Sequence, residues 1–499
     1  MAGDLLLIRG GSTPYTAPNA TYTTPVLEVK TSGTNGAPIR IEGYPNETVI
    51  LDGQAVLSTN NNGHRRGIYV PPGKDFVEIR RLLVRNAYRE GMLLEGDNVV
   101  LEDIIAEHCG LNPNNAESMG VKFNFVNNFS ARRVVVRNNY SGLEAKGSAD
   151  GIFEDVMSYE NGFLQDRTPI YPENADGIGL AVARSGSDRV DVIRGIAFRN
   201  GDDQIDLSHS RDSSCDQCIS FEGNIFNAAN GDGNGFKIGN DQNELVGSGR
   251  EARRLLLTRS ISFRNQANGI DPRDSLYGEY HNNTAFVNFG QFGYSSGSSG
   301  HEARFYNNIS YGSVQSDLFV GAGKIGDYNN WAKSNGAQLD FPNDQHSIIE
   351  DPNFSAAPSL ATMQNPNASV IDTSWQGGFA EDDVRGILPT INHIRQQVLA
   401  MVKPYPQQGG TNNSIDGGTW IRFAAAGGNN STQISTTEDP SLVFRAGQEI
   451  QIEGAGRANI VSLDSTTITL DVPLSFTAGA GVHWPWNGAR PDMGAVEAD

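Results

Sequence analysis

Lysine is scarce in this chain: 8 of 499 residues, within 38 basic residues in all. Cysteine is scarcer, at three (Cys109, Cys215 and Cys218). Three cysteines exclude a disulfide framework that would staple so long a chain. "CDQC" (Cys215–Cys218) has no second pair and no βαβ setting. A local disulfide or two loop thiols is therefore expected, rather than a zinc or redox centre. No run of eighteen apolar residues occurs, which excludes a membrane-spanning helix. Positive charge is lacking overall; the net charge is −20. Nucleic acid is excluded as a partner, since phosphate binding needs a basic face. A polyanion is still admissible at a local cationic or metal-bearing groove. The start, "MAGDLLLIRGG", enters a strand-like run at once and carries no signal-peptide pattern.

Glycine, at 57, is abundant, and hydrophobic residues make up only 38%. That mixture suits many short strands joined by many turns. The strands recur. "LLVRNAYREG", "IIAEHCG", "VVVRNNYSG", "VMSYENGF", "IAFRNGDD", "ISFRNQANG", "TAFVNFGQF" and "FYNNISYGS" each end near a marker residue. The markers are Asn86, His108, Asn139, Asn161, Asn200, Asn265, Asn288 and Asn308. Steps of 22 residues (Asn86 to His108, Asn139 to Asn161), 23 (Asn265 to Asn288) and 20 (Asn288 to Asn308) recur. A period near twenty with no helix inside it predicts an all-β solenoid whose coils complete their core by stacking. The recurrent asparagines predict a ladder of amides along one corner.

The expected organisation is a right-handed parallel β-helix domain over 1–380, with its core at about 25–340. A helix and linker over 381–410 follow, then a small C-terminal β-unit over 411–499 that packs on or caps the β-helix. Val384, Ile387, Ile391, Ile394, Val398 and Met401 recur at helical spacing. Pro389 marks a break or a first turn there. "EIQIEG", "ANIVSL" and "TTITLDV" alternate as strands do.

Chemistry concentrates in three segments. In "GNGFKIG", inward Phe236 and Ile238 turn Lys237 outward, because strand neighbours face opposite ways. In "NGDDQIDL", inward Ile205 and Leu207 likewise turn Asp206 outward. Asp202, Asp203 and Asp206, with Asp176 of "ENADGIG", stack on adjacent coils and repel one another unless a cation joins them. Oxygen ligands in this number suit Ca²⁺. Taken singly, an outward lysine or an Asp-Asp pair is an ordinary surface feature; the combination is not.

"NADG", "NGDDQIDL" and "GNGFKIG", in that order, resemble the pectate lyases of polysaccharide lyase family 9. "AGDLLLIRGG", "SGTNGAPIRIEGYP" and "LDG" resemble the opening of such enzymes, and "PDMGAVE" their last strand. The resemblance implies that Asp176, Asp202, Asp203 and Asp206 hold a catalytic Ca²⁺. It implies that Lys237 is the Brønsted base of a β-elimination on a uronate polymer, most simply pectate. The family commonly reads DDGWDL where this chain reads DDQIDL, so Gln204 and Ile205 put the sugar specificity in question. Arg273, Arg211 and Lys146 are candidate substrate-binding residues, and His209 a candidate sugar contact. A secreted monomer acting on an acidic polysaccharide is the expectation, with no membrane partner. The alternatives are a lyase or C5-epimerase on another uronate (alginate, rhamnogalacturonan), a β-helical glycoside hydrolase, and a non-catalytic glycan-binding β-helix.

Overall fold

The computed structural model describes residues 1–16, 24–58, 63–112, 118–164, 166, 167, 169, 175–180, 187–208, 210–226, 231–239, 255–272, 277–293, 302–312, 324–332, 345–354, 357–365, 367–403, 418–488 and 490–496. Two parallel sheets run along the solenoid, one of 20 strands and one of 10. A typical coil has three strands, such as Ser141–Lys146, Ala149–Glu154 and Met157–Tyr159. The first belongs to the ten-stranded sheet, the other two to the larger one. Parallel pairing starts earlier than expected, at Leu5–Ile8 against Ile39–Gly43. Among the described residues its last strand is Asn330–Ala332. A single apolar core fills the tube, from Ile8 to Trp331.

The bend in the larger sheet, between two short strands or within one long strand such as Val99–Glu107, takes a left-handed residue. Asp103, Arg133, Asp155, Arg194 and Arg259 occupy it, with φ from 48° to 55°. Each such residue costs about 1–2 kcal/mol. Stacking offsets that cost, because opposite charges meet from coil to coil. Arg133 Nε donates to Asp103 Oδ1 at 2.6 Å, and Arg194 Nε to Asp155 Oδ1 at 2.7 Å.

The asparagine ladder exists, in three pieces. Asn139 Nδ2 donates to Asn161 Oδ1 (3.1 Å), Asn161 to Asn200 (2.8 Å), and Asn200 to Gln204 Oε1 (2.9 Å). Asn265 donates to Asn288 (2.9 Å), which donates to Gln291 (2.7 Å). Asn283, Asn308 and Asn329 form a third piece, at 3.0 Å per step. Asn308 therefore does not follow Asn288, contrary to the spacing argument. It precedes its strand, Ile309–Tyr311, as Asn283 precedes Thr284–Phe286. Asn86 and His108 also stand outside the ladder. They are left-handed residues one position before it, and the Cys109 N–H begins the ladder by donating to Asn139 Oδ1.

The helix Ile387–Val402 forms as its apolar spacing predicts, with Pro389 in its first turn. Ile387, Ile391, Ile394, Val398 and Met401 bury against the outside of the solenoid. There Tyr159, Phe198, Phe221, Phe263 and Phe286 stack one per coil, with ring centres 4.7–5.1 Å apart. The C-terminal unit is a six-stranded antiparallel sheet with its own core. It touches the side of the solenoid through Gln448 Nε2 to Asp216 Oδ2 (3.2 Å), and Arg259 lies 4.5 Å over Trp484. Pro491–Val496 forms bends rather than the expected last strand; Gly494 N donates to Asn307 O. Cys215 and Cys218 form a disulfide, and Cys109 is a buried free thiol.

Candidate active site

The ten-stranded sheet carries the site. Ile178, Ile205 and Phe236 are in register and wholly buried, so the next residues, Gly179, Asp206 and Lys237, share the outer face. Residues in register sit about 4.8 Å apart from coil to coil. The outward row continues to Glu144 and Lys122 on one side and Asp271 on the other.

Carboxylate oxygens of Asp176, Asp202 and Asp203 lie within 4.8 Å of one another. Asp176 arrives from the preceding coil, where its carbonyl accepts from Gly142 N; Gly177 N donates to Asp203 O on the next. Asp206 adjoins the trio without joining it, and its Oδ1 accepts from Ser208 N at 2.7 Å. Lys237 Nζ donates to Asp203 Oδ2 at 2.7 Å and to Asp232 Oδ2 at 3.2 Å. Asn234 Nδ2 donates to Asp203 Oδ1 at 2.9 Å.

The electrostatics of this cluster are unbalanced. Burial, then repulsion from Asp202, Asp206 and Asp203, pushes the Asp176 carboxyl well above the usual range. Burial and Asp203 push Asp202 up to about 7. Burial also raises Asp203, against the pull of Lys237. For Lys237, burial opposes the ammonium, but Asp206, Asp203 and Asp176 outweigh it and hold its pKa above the ordinary lysine value. Asp176 Oδ1 is buried with no hydrogen-bond partner. An orphaned buried carboxylate oxygen beside two more carboxylates is the donor set a hard cation takes, so the residues present fit Ca²⁺.

The other expected residues fare differently. Arg211 Nε donates to Asp188 Oδ1 at 2.8 Å and its Nη2 pairs with Asp188 Oδ2. Lys146 ends the strand Ser141–Lys146, two residues beyond Glu144. Arg273 and His209 lie outside the described residues. Gln204 and Ile205 are wholly buried, so the departure from DDGWDL does not face the groove; Gln204 closes the asparagine ladder instead. Sequence reasoning missed Asp232 and Asn234. Both lie within five residues of Lys237, in a "GDGNG" that reads only as a turn.

A family model described as "Pel9A-like, right handed beta helix region" matches residues 1–308. The chain is 27% identical over 318 residues to pectate lyase L of Dickeya chrysanthemi, covering 62% of this chain and 63% of that protein. It is 25% identical over 300 residues to pectate lyase PEL9 of Emericella nidulans, covering 54% and 61%. The match thus spans less than two thirds of the curated relatives' length. The crystal structure of pectate lyase Pel9A superposes with a TM-score of 0.54 at 19% identity, over 100% of this chain and 88% of that one, and agrees with it in fold.

Proposed function

This chain belongs to the Pel9A-like right-handed β-helix family, and from that premise we propose that it is a Ca²⁺-dependent polysaccharide lyase acting on a uronate polymer, most simply pectate. The observation that carries the reading is one lysine held by a cluster of close carboxylates that repel one another. A glycan-binding fibre has no need of a base there.

Asp176, Asp202, Asp203 and Asp206 would hold the cation. When bound, Ca²⁺ would supply positive charge against the substrate carboxylate and so acidify the proton on C5. Lys237, in its neutral form, takes that C5 proton. The electron pair left on C5 forms the C4–C5 double bond as the C4–O4 bond breaks, and O4 leaves to be protonated by water. Asp203 and Asp232 position Nζ from two sides. Lys146, on the same outer face, is proposed to meet substrate further along the groove.

A C5-epimerase begins with the same proton abstraction, and a hydrolase would use the aspartates as acid and base. Mass spectrometry of products from polygalacturonate, alginate and rhamnogalacturonan separates these. A lyase gives unsaturated oligomers lacking one water relative to hydrolysis products. Hydrolysed chains, or intact chains with inverted C5, would overturn the reading. Because such polymers are too large to enter a cell, we place the protein outside it, acting as a monomer. Among the described residues no helix is long and apolar enough to cross a membrane.

A further inference from the structure

Phe125 is the most exposed aromatic side chain among the described residues, at 59%. Exposure of one phenylalanine means little by itself. Its backbone sets it apart: φ is 57°, in the left-handed region that glycine favours and a bulky residue avoids. The corner needs that conformation, and one coil later Gly147 takes it, with φ 58°. Other bulky residues in this region are covered. Val287 is buried, Phe76 is half-buried, and Tyr328 stacks on His346 with ring centres 4.4 Å apart. Phe125 rests instead on Gly147, where a Cβ would stand 2.5 Å from its ring. The glycine leaves room, so the ring leans over the next coil and keeps most of its surface in water.

We propose that Phe125 is a sugar-stacking platform, a distal subsite that takes a pyranose ring of the polymer through its apolar C–H face. The inference rests on the lyase reading of the carboxylate cluster. Phe125 follows the strand Met119–Asn124 of the ten-stranded sheet. Lys122 of that strand stands in the outward row that runs through Glu144, Gly179 and Asp206 to Lys237, four coils on. At about 4.8 Å per coil and about 3.3 Å per residue along a strand, Phe125 lies about 20 Å from Lys237 across the sheet. Its lean over Gly147 is toward Lys237. Lys146, which precedes Gly147, is in register with Asn124 and brings a cation for the carboxylate of the same sugar. A long chain held both here and at Lys237 gains affinity that a short oligomer cannot reach. The disfavoured backbone is kept because the ring serves the ligand rather than the fold.

The test compares Phe125→Gly and Phe125→Tyr with the parent in the full chain. KM is measured on polygalacturonate and on trigalacturonate at saturating Ca²⁺, with a melting temperature for each protein. The expected result for Gly is that the parent's preference for polymer over trimer, read as the ratio of the two KM values, falls about two- to tenfold, the weight of one aromatic contact. Tyr, which keeps a ring, holds the parent ratio. The melting temperature does not fall for Gly, because glycine suits a left-handed corner. A Gly variant that keeps the parent ratio, or one that melts well below the parent and so shows the ring to be packing, would overturn the inference and leave the lyase reading standing. A wild type that yields no unsaturated product from any uronate would overturn both.

Discussion

Lys237 Nζ lies 2.7 Å from Asp203 Oδ2, so the group that would remove the proton is held by a carboxylate that would also hold the cation. Asp203 is wholly buried and keeps its other oxygen on Asn234. Without a metal, the ammonium of Lys237 is the cluster's only close cation among the described residues. With Asp206, Asp203 and Asp176 holding its pKa above the ordinary lysine value, the lysine stays charged through the alkaline range. A charged lysine cannot act as a base. A divalent cation offsets those carboxylates and favours the neutral amine. Chelated enzyme should therefore be inactive even at high pH, whereas enzyme saturated with Ca²⁺ should gain rate as pH rises. Full pH–rate profiles in both conditions check this; an acid optimum indifferent to chelator would contradict it.

Removing one carboxylate charge should relieve the cluster. Asp176→Asn is expected to raise the melting temperature of metal-free protein near neutral pH, since Asp176 is half-buried, is repelled by three neighbours and has a buried, unsatisfied Oδ1. The rise in melting temperature on adding Ca²⁺ should shrink in the same variant. Thermal melts with and without Ca²⁺ read both effects.

The sign of the pH dependence follows from Asp202. Its carboxyl titrates near 7 in the folded chain and near 3.8 when unmodified by its surroundings. A carboxyl whose folded pKa is raised favours the folded state below its unfolded pKa, and that contribution is lost as pH rises through the folded value. Metal-free protein should lose stability between about pH 4 and 7 from this group. Ca²⁺ should flatten or reverse the slope, because it binds the ionised form. Urea midpoints across that range, with Ca²⁺ and with chelator, measure it.

The ladder makes a prediction independent of chemistry. Asn161 is wholly buried and accepts from both Asn139 N and Asn139 Nδ2 while donating to Asn200 and Ser158. Asn161→Ala strands those partners, at about 1–3 kcal/mol for each buried group left unsatisfied. Denaturant unfolding should show the loss, while Ca²⁺ affinity of the folded variant stays close to that of the parent.

Much of the site was legible in the chain because strands alternate. Phe236 and Ile238 point inward, so Lys237 had to point outward, and the same logic set Asp206. Asp176 could be grouped with Asp202 and Asp203 as carboxylates on adjacent coils, but the approach of their oxygens to within 4.8 Å is set by backbone pairing and not by spacing. Spacing misled where one residue type serves two corners: Asn288 and Asn308 stand 20 residues apart yet belong to different ladders. Gln204 shows a related limit. Its place among aspartates suggests the groove, but its amide was needed to close the ladder at Asn200. Asp232 and Asn234 were hidden because a glycine-flanked turn looks the same whether or not its side chains reach Lys237, as Asp232 does, or Asp203, as Asn234 does.

The most direct measurement is the initial rate of unsaturated product, by ultraviolet absorbance on polygalacturonate, for the parent and Lys237→Ala at saturating Ca²⁺, with Ca²⁺ binding measured calorimetrically on both. The account predicts a rate about 10²–10⁴-fold lower in the variant, the usual weight of a general base, with Ca²⁺ still bound. A variant that binds Ca²⁺ and keeps the parent rate would contradict it.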